Sequence, residues 1–295
     1  MLNFKNYIVM KKLIEIVFCV FGLCVVMACF SSCKSNAISG EWVPNGDVYS
    51  YTDTIYRAEE SFGDVSKGAL LSIEKHFLNE KNVDTLLVLY TPNGKEEKRT
   101  NFIYDSDGQV IKKIEYSYRE YDNGLFGKSI NEMTNTTIYD NIKSGNKMQE
   151  QKAVTFGKMY FEGRDTDSVY QDGFNDYVRR TDYDTLRSKI IYKYEKPKVV
   201  EKPLDEDTEI YYMDRDGKNL MQVSFRGEII QKYNEQSLLV ERTFEFNEEI
   251  YGSEKILIEY VYDSKDNPIV IKCFKQGDNN RRIPDTVCFR HYDYK

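Results

Sequence analysis

Residues 104–118 read YDSDGQVIKKIEYSY, a turn followed by a strand. In Asp105-Ser106-Asp107-Gly108 the aspartates cap nearby backbone and the glycine supplies the positive φ that a tight hairpin needs. Beyond the turn the side chains alternate. Ile114, Tyr116 and Tyr118 fall on one face and Lys113, Glu115 and Ser117 on the other, the period of a half-buried antiparallel strand. The expectation is that the aromatic face looks inward.

Three later stretches align with the first: 213–225 (MDRDGKNLMQVSF), 233–246 (YNEQSLLVERTFEF) and 262–274 (YDSKDNPIVIKCF). A second signature, Asp then Thr or Ser then an aliphatic residue, recurs at Asp53, Asp84, Asp167, Asp184 and Asp285. It reads as strand entry, because Asp ends a turn and β-branched residues begin an extended run. Further runs rich in β-branched and aromatic residues predict strands at Leu86–Thr91, Lys98–Tyr104, Thr136–Tyr139, Ile190–Tyr194, Ile256–Tyr262 and Val287–Tyr294, with Ala69–Leu78 also read as strand. Asn141–Gln151, polar and lysine-rich, and Glu195–Asp207, with its prolines, read as long loops, the second dividing two halves of one continuous sheet. Ser39–Gly68 is the least regular stretch. The fold class is therefore all-β: an antiparallel meander of repeated hairpins curled into an open or barrel-like sheet.

The joint pattern of Tyr-Asp-x-x-Gly with an aromatic at the strand end resembles the YD repeat of the RHS family, and also Gram-negative envelope lipoproteins that carry degenerate YD-like repeats. The resemblance covers mainly residues 104–118 and 211–274. Met213 stands where the pattern has Tyr, Asn234 where it has Asp, and Ser237 and Asp266 where it has Gly.

At the N-terminus, Lys11 and Lys12 precede an uncharged run from Ile16 to Phe30, a short apolar segment of the secretory type and not the roughly 20 residues a span requires. Met10-Lys11-Lys12 is the more usual opening of such a segment, so Met10 is a candidate start. Phe30-Ser31-Ser32-Cys33 resembles a lipobox, with Phe30 in place of the usual Leu and Val26-Met27-Ala28-Cys29 as a poorer competitor. Residues 1–32 are read as a lipoprotein signal peptide, 33–39 as a lipidated tether on Cys33, and 40–295 as the repeat-based β domain. Lys34-Ser35-Asn36 offers no acidic cluster, which favours a periplasm-facing anchor at the outer membrane without fixing the facing side.

The chain carries a net charge of −7, and cleavage before Cys33 would remove three lysines and one glutamate, leaving it more acidic. Its mixed charge argues against a nucleic-acid partner, since phosphate binding draws on clustered Lys and Arg. Four of the six cysteines lie at or before Cys33. The other two, Cys273 and Cys288, flank the turn-rich Gly277-Asp278-Asn279-Asn280 between alternating strands. Either a disulfide or two buried thiols fits that arrangement.

No constellation for catalysis emerges. There is no Gly-x-Ser-x-Gly elbow, no His-Glu-x-x-His and no phosphate-binding glycine loop. His76 and His291 stand far apart, so no metal site and no cofactor is expected. The pairs Asp105 with Asp107 and Asp165 with Asp167 have the residue types of a glycosidase, and Asp105-x-Asp107-Gly108 and Asp214-x-Asp216-Gly217 resemble half an EF-hand loop; turn chemistry explains both more simply. Trp42 reads as packing over the sheet end or stacking on a sugar. The residues left for binding are aromatic: Tyr104, Tyr116, Tyr118 and Tyr262 form the candidate face for a glycan or protein ligand. The functional expectation is a non-enzymatic, lipid-anchored envelope protein that binds or scaffolds, with a glycan-active enzyme or a purely structural component as alternatives.

Overall fold

The computed structural model describes residues 43–61, 64–122, 128–145, 147–165, 175–182, 186–194, 197, 200–203, 205–246 and 253–295. The expectations for the signal peptide, the tether, Cys33, Trp42 and the Asp167 and Asp184 signatures lie outside them. The described chain is all-β. In order its strands are β1 (Val48–Ser61), β2 (Asp64–Leu78), β3 (Asp84–Tyr90), β4 (Glu96–Tyr104), β5 (Val110–Asp122), β6 (Lys128–Ser144), β7 (Lys147–Asp165) and β8 (Asn175–Asp182). They continue as β9 (Leu186–Lys193), β10 (Thr208–Met213), β11 (Asn219–Ser224), β12 (Gly227–Tyr233), β13 (Leu239–Phe246), β14 (Ser253–Tyr262), β15 (Pro268–Gln276) and β16 (Arg282–Tyr294).

Neighbouring strands pair in the order β6-β5-β4-β3-β2-β1-β16-β15-β14-β13-β12-β11-β10-β9-β7-β8, and a further β6–β7 pairing closes the ring. The barrel has 15 strands. β8 stands outside the ring because β7, 19 residues long, pairs β9 through Glu150–Thr155 and β8 through Lys158–Asp165. An odd ring cannot alternate direction all the way round. The parallel pair is β9–β10, and the chain between them runs through residues 194–207, a crossover of the length that parallel neighbours demand. Its described part lies against the barrel wall: Val200 packs on Ile210, Tyr212 and Val223, and the Glu201 N–H donates to the Tyr212 hydroxyl at 3.1 Å.

Six hairpins share one turn. At Asn79–Val83, Thr91–Lys95, Asp105–Gln109, Asp214–Lys218, Asn234–Leu238 and Asp263–Asn267, the first N–H donates to the fifth carbonyl and the fourth N–H returns to the first carbonyl. A side-chain oxygen of the first residue also accepts from the fifth N–H in every case. An acceptor oxygen is what the position requires, so Asn and Thr serve as well as Asp. The fourth residue has positive φ throughout: 85° at Gly108 and 84° at Gly217, but also 66° at Ser237 and 58° at Asp266. Thus Ser237 and Asp266, which depart from the glycine of the pattern, keep its geometry.

Tyrosines tie the strands together at these ends. The hydroxyl of Tyr104 donates to the Asp84 carbonyl, Tyr233 to Asn219, Tyr260 to Leu239 and Tyr292 to Pro268. Each acceptor is the first residue of the preceding strand, so one contact is repeated four times around the ring.

The structure corrects three readings of the sequence. Asn141–Gln151 is not a loop, because β6 and β7 continue through it and Asn141 pairs with Gln151 across a tight turn at Gly145. Ser39–Gly68, read without a strand, includes β1 and the start of β2, which pair antiparallel through register shifts at Ile55/Tyr56 and Tyr56/Ala58. On β5 the faces are reversed: Lys113 lines an interior cavity while Tyr116 is 38% exposed. A ring this wide leaves room inside for polar side chains that bind one another.

Candidate ligand-binding interior

The inward face divides into a closed stretch and an open one. The closed stretch lies on β1, β2, β3 and β16, where the pairings Asp53–Arg290, Asp53–Glu74 and Tyr51–His76 bring side chains together across strands. Arg290 donates from Nε and Nη2 to the two Asp53 carboxylate oxygens, both at 2.6 Å, with both side chains buried. Its guanidinium also lies 4.4 Å from the centre of the Tyr51 ring. Tyr51 stacks on His76 with centroids 4.1 Å apart and planes 12° apart. His76 in turn contacts Asp84 through Nδ1 at 3.1 Å and Glu74 through Nε2 at 3.7 Å.

Burial alone would lower the His76 pKa, but Asp84, Glu74 and Asp53 outweigh it and raise the value from 6.5 to about 9. A protonated His76 is the state this wall holds. Burial and the Asp53 carboxylate push the Cys288 thiol well up, so it stays neutral and packs as a small apolar group.

The open stretch lies on β5, β6, β7 and β9. Lys113, Thr137, Tyr139, Gln151, Ala153, Thr155, Ser188 and Ile190 line a half-open cavity of about 220 Å³. At roughly 30 Å³ per water this has room for about seven waters, or one small ring. Lys113 meets Glu115 at 2.5 Å, and Glu115 is held from its other side by Lys98. Burial opposes charge on Lys113, yet Tyr139 and Glu115 raise its pKa overall; burial likewise opposes charge on Glu115, and the two lysines lower its pKa overall. Burial raises the Tyr139 pKa, so its hydroxyl stays protonated at neutral pH. The Thr137 and Thr155 hydroxyls bond each other at 2.9 Å. The cavity wall therefore presents an ammonium, hydroxyls and an amide, with Ala153 and Ile190 supplying apolar contact.

The outer face is also charged. Lys152 and Lys189 flank Glu150 at 3.1 and 2.9 Å, and Glu241 bridges Lys232 and Lys255 at 2.8 and 3.2 Å. Arg99 pairs with Glu96 on β4, and Lys232 is 63% exposed. Exposed apolar side chains such as Ile138, Val154 and Phe156 are interspersed among these charges.

The candidate aromatic residues do not share a surface. Tyr116 and Tyr118 lie on the outer face of β5, where Lys95 sits 4.1 Å from the Tyr118 ring centre. Tyr104 and Tyr262 are half-buried at the turn end, with the Tyr104 hydroxyl spent on Asp84 and that of Tyr262 accepting from Asn234 at 3.1 Å. Cys273 and Cys288 are buried thiols with no disulfide between them. On adjacent strands Cys273 faces Thr286 and Cys288 faces Ile271, a diagonal offset that exceeds the Cβ separation a disulfide allows.

Asp105 caps its turn and Asp107 pairs with Lys143 at 2.8 Å. Asp53, read as a strand entry, is instead a buried ion-pair partner in the middle of β1. Asp84 does open β3 and binds His76 as well. Sequence reasoning missed Lys113, Gln151 and Arg290. The available signal was spacing by two, as in Lys113 with Glu115 and Gln151 with Ala153 and Thr155, which puts them on one face once the inward side is known.

No family model and no curated protein matches this chain. Among solved structures it is similar to a porin-like protein from Bacteroides uniformis, with 11% identity, a TM-score of 0.25, and coverage of 86% of this chain and 100% of that one. It is also similar to a chain in a TcdB2–TccC3–Cdc42 structure, with 10% identity, a TM-score of 0.23, and coverage of 77% of this chain and 16% of that one.

Proposed function

We propose that this chain is a non-enzymatic binding or scaffold protein of a bacterial envelope, held at the outer membrane by a lipid on Cys33, with the barrel as its working module. The observation that carries the reading is the polarity of the wall. A barrel immersed in lipid keeps charge off its outer face, where a central Lys or Arg costs about 2–4 kcal/mol. This barrel carries ion pairs on that face on β4, β7, β9, β12, β13 and β14. Attachment to a membrane then calls for a separate anchor, and Phe30-Ser31-Ser32-Cys33 supplies its sequence.

The carboxylates of the inner wall favour binding over acid–base chemistry. Asp53 faces Arg290, Glu74 and Asp84 face His76, and Glu115 faces two lysines. Each lies beside a cation, whereas a glycosidase-type pair sets two carboxyl groups to face one bond.

Replacing Cys33 by Ala and fractionating the cells tests the anchor. The variant is expected in the soluble fraction as a folded β protein. Retention of the variant in the membrane fraction would overturn the reading.

A further inference from the structure

We infer that β8 is an interaction edge through which two copies of this chain pair, antiparallel and about a two-fold axis at Val178. This goes beyond the role proposed above and does not depend on it.

The place of β8 in the fold supplies the opening. β9 continues the line of β8 along β7, and β10 covers β9 only from Lys189 onward. All eight residues of β8 pair β7 on one edge, from Asn175 opposite Asp165 to Asp182 opposite Lys158, and no other described strand pairs the second edge. Such an edge carries a row of backbone N–H and C=O groups that another strand can complete.

The sequence of the edge, Asn-Asp-Tyr-Val-Arg-Arg-Thr-Asp, selects a second copy as the occupant. A two-fold axis between antiparallel strands passes between a residue and its own equivalent, because only then do opposed residues share a face of the joined sheet. Centred on Val178, this rule sets Asp176 opposite Arg180 of the second copy, twice by symmetry, and Tyr177 opposite Arg179. Both pairs are favourable across strands. Centring one residue later sets Arg179 against itself and Asp176 against Asp182, and centring one residue earlier opposes no unlike charges within β8. The strand is complementary to itself when Val178 faces Val178.

Two other overhanging edges lack this property. β2 runs past β3 over residues 64–72, and β5 runs past β4 over residues 118–122. Their unlike charges, Asp64 with Lys67 and Arg119 with Glu120 or Asp122, stand an odd number of residues apart. Such residues cannot face each other across a two-fold axis. An edge of eight residues is a small interface, so the pairing is expected to be reversible and concentration-dependent.

The test uses the full chain with single cysteines placed along β8, and disulfide formation is read on a non-reducing gel against the native chain. Val178→Cys is expected to form a covalent dimer, and Tyr177→Cys and Arg179→Cys to do so about tenfold more slowly, since those positions do not meet their own equivalents. Sedimentation over a range of concentrations gives the second reading. Arg180→Asp or Asp176→Arg alone opposes like charges twice and is expected to weaken the dimer about tenfold. An equimolar mixture of these two variants opposes unlike charges again and is expected to restore it, with circular dichroism verifying the fold of each. A native chain that sediments as a monomer throughout would overturn the inference. So would a covalent dimer formed equally at all three positions or fastest beside Val178, or a mixture that associates no more tightly than its components.

Discussion

Two stretches of one inner wall, the β16-β1-β2-β3 seam and the β5-β6-β7-β9 cavity, draw on the same residue types to opposite ends. At the seam each charge has its complement within reach: Asp53 has Arg290, and His76 lies between Asp84 and Glu74. In the cavity the ions are matched too, but about 220 Å³ of space is left beside them. A polar interior therefore does not by itself mark a site. What separates the two stretches is space: the seam is filled by its own ion pairs, whereas the cavity leaves room beside its matched ions.

The largest effect is expected where the paired charges are most deeply buried. Asp53→Ala leaves Arg290 charged and buried, and should cost about 3–5 kcal/mol in chemical denaturation. Adding Arg290→Met should recover much of that loss, since two apolar groups of similar bulk need no partner. An equally small effect of Asp53→Ala and of a cavity substitution such as Ser188→Ala would erase the distinction between the two stretches.

Proton linkage sharpens it next. The folded-state pKa of His76 is raised above its unfolded value, so its contribution is fully present below pH 6.5 and is lost as pH rises through about 9. That interval corresponds to about 3 kcal/mol as an upper figure. Denaturation midpoints of the native chain should fall across this window, and those of His76→Gln should fall much less. Parallel curves for the two proteins would remove His76 from the account.

Much of this could be read from the sequence, and the residues that could not share a cause. The hairpins were legible because a turn is local: Asp105 and Gly108 fix their own backbone whatever surrounds them. The strand runs followed from alternation. Which face of β5 looks inward is not a local property, and the aromatic alternation of Ile114, Tyr116 and Tyr118 pointed the wrong way. In a small sheet the rings would fill the core, whereas a ring of 15 strands accommodates Lys113 and Glu115 within. The same inversion hid Gln151 in a stretch whose polarity resembled a loop. Asp53 and Arg290 are 237 residues apart and meet only because β16 closes on β1.

The smallest effects concern the shared turn. Gly108→Ala should cost about 1 kcal/mol, since the position has positive φ. Ser237→Gly should be neutral or stabilising by up to about 1 kcal/mol, because it relieves the same constraint in a turn that already tolerates it. Denaturant titration of both variants would check the pair, and a loss on Ser237→Gly equal to that on Gly108→Ala would show that the turns are not equivalent.

The orientation of the wall is tested most directly by labelling two adjacent residues of β6. Thr137 is 6% exposed and Ile138 is 48% exposed, and a one-residue slip of register would exchange them. Single cysteines at these positions, challenged with a bulky water-soluble maleimide, should react rapidly in Ile138→Cys and slowly in Thr137→Cys. Fast labelling of Thr137→Cys with protection of Ile138→Cys would turn the wall inside out and contradict both the polar interior and the site built upon it.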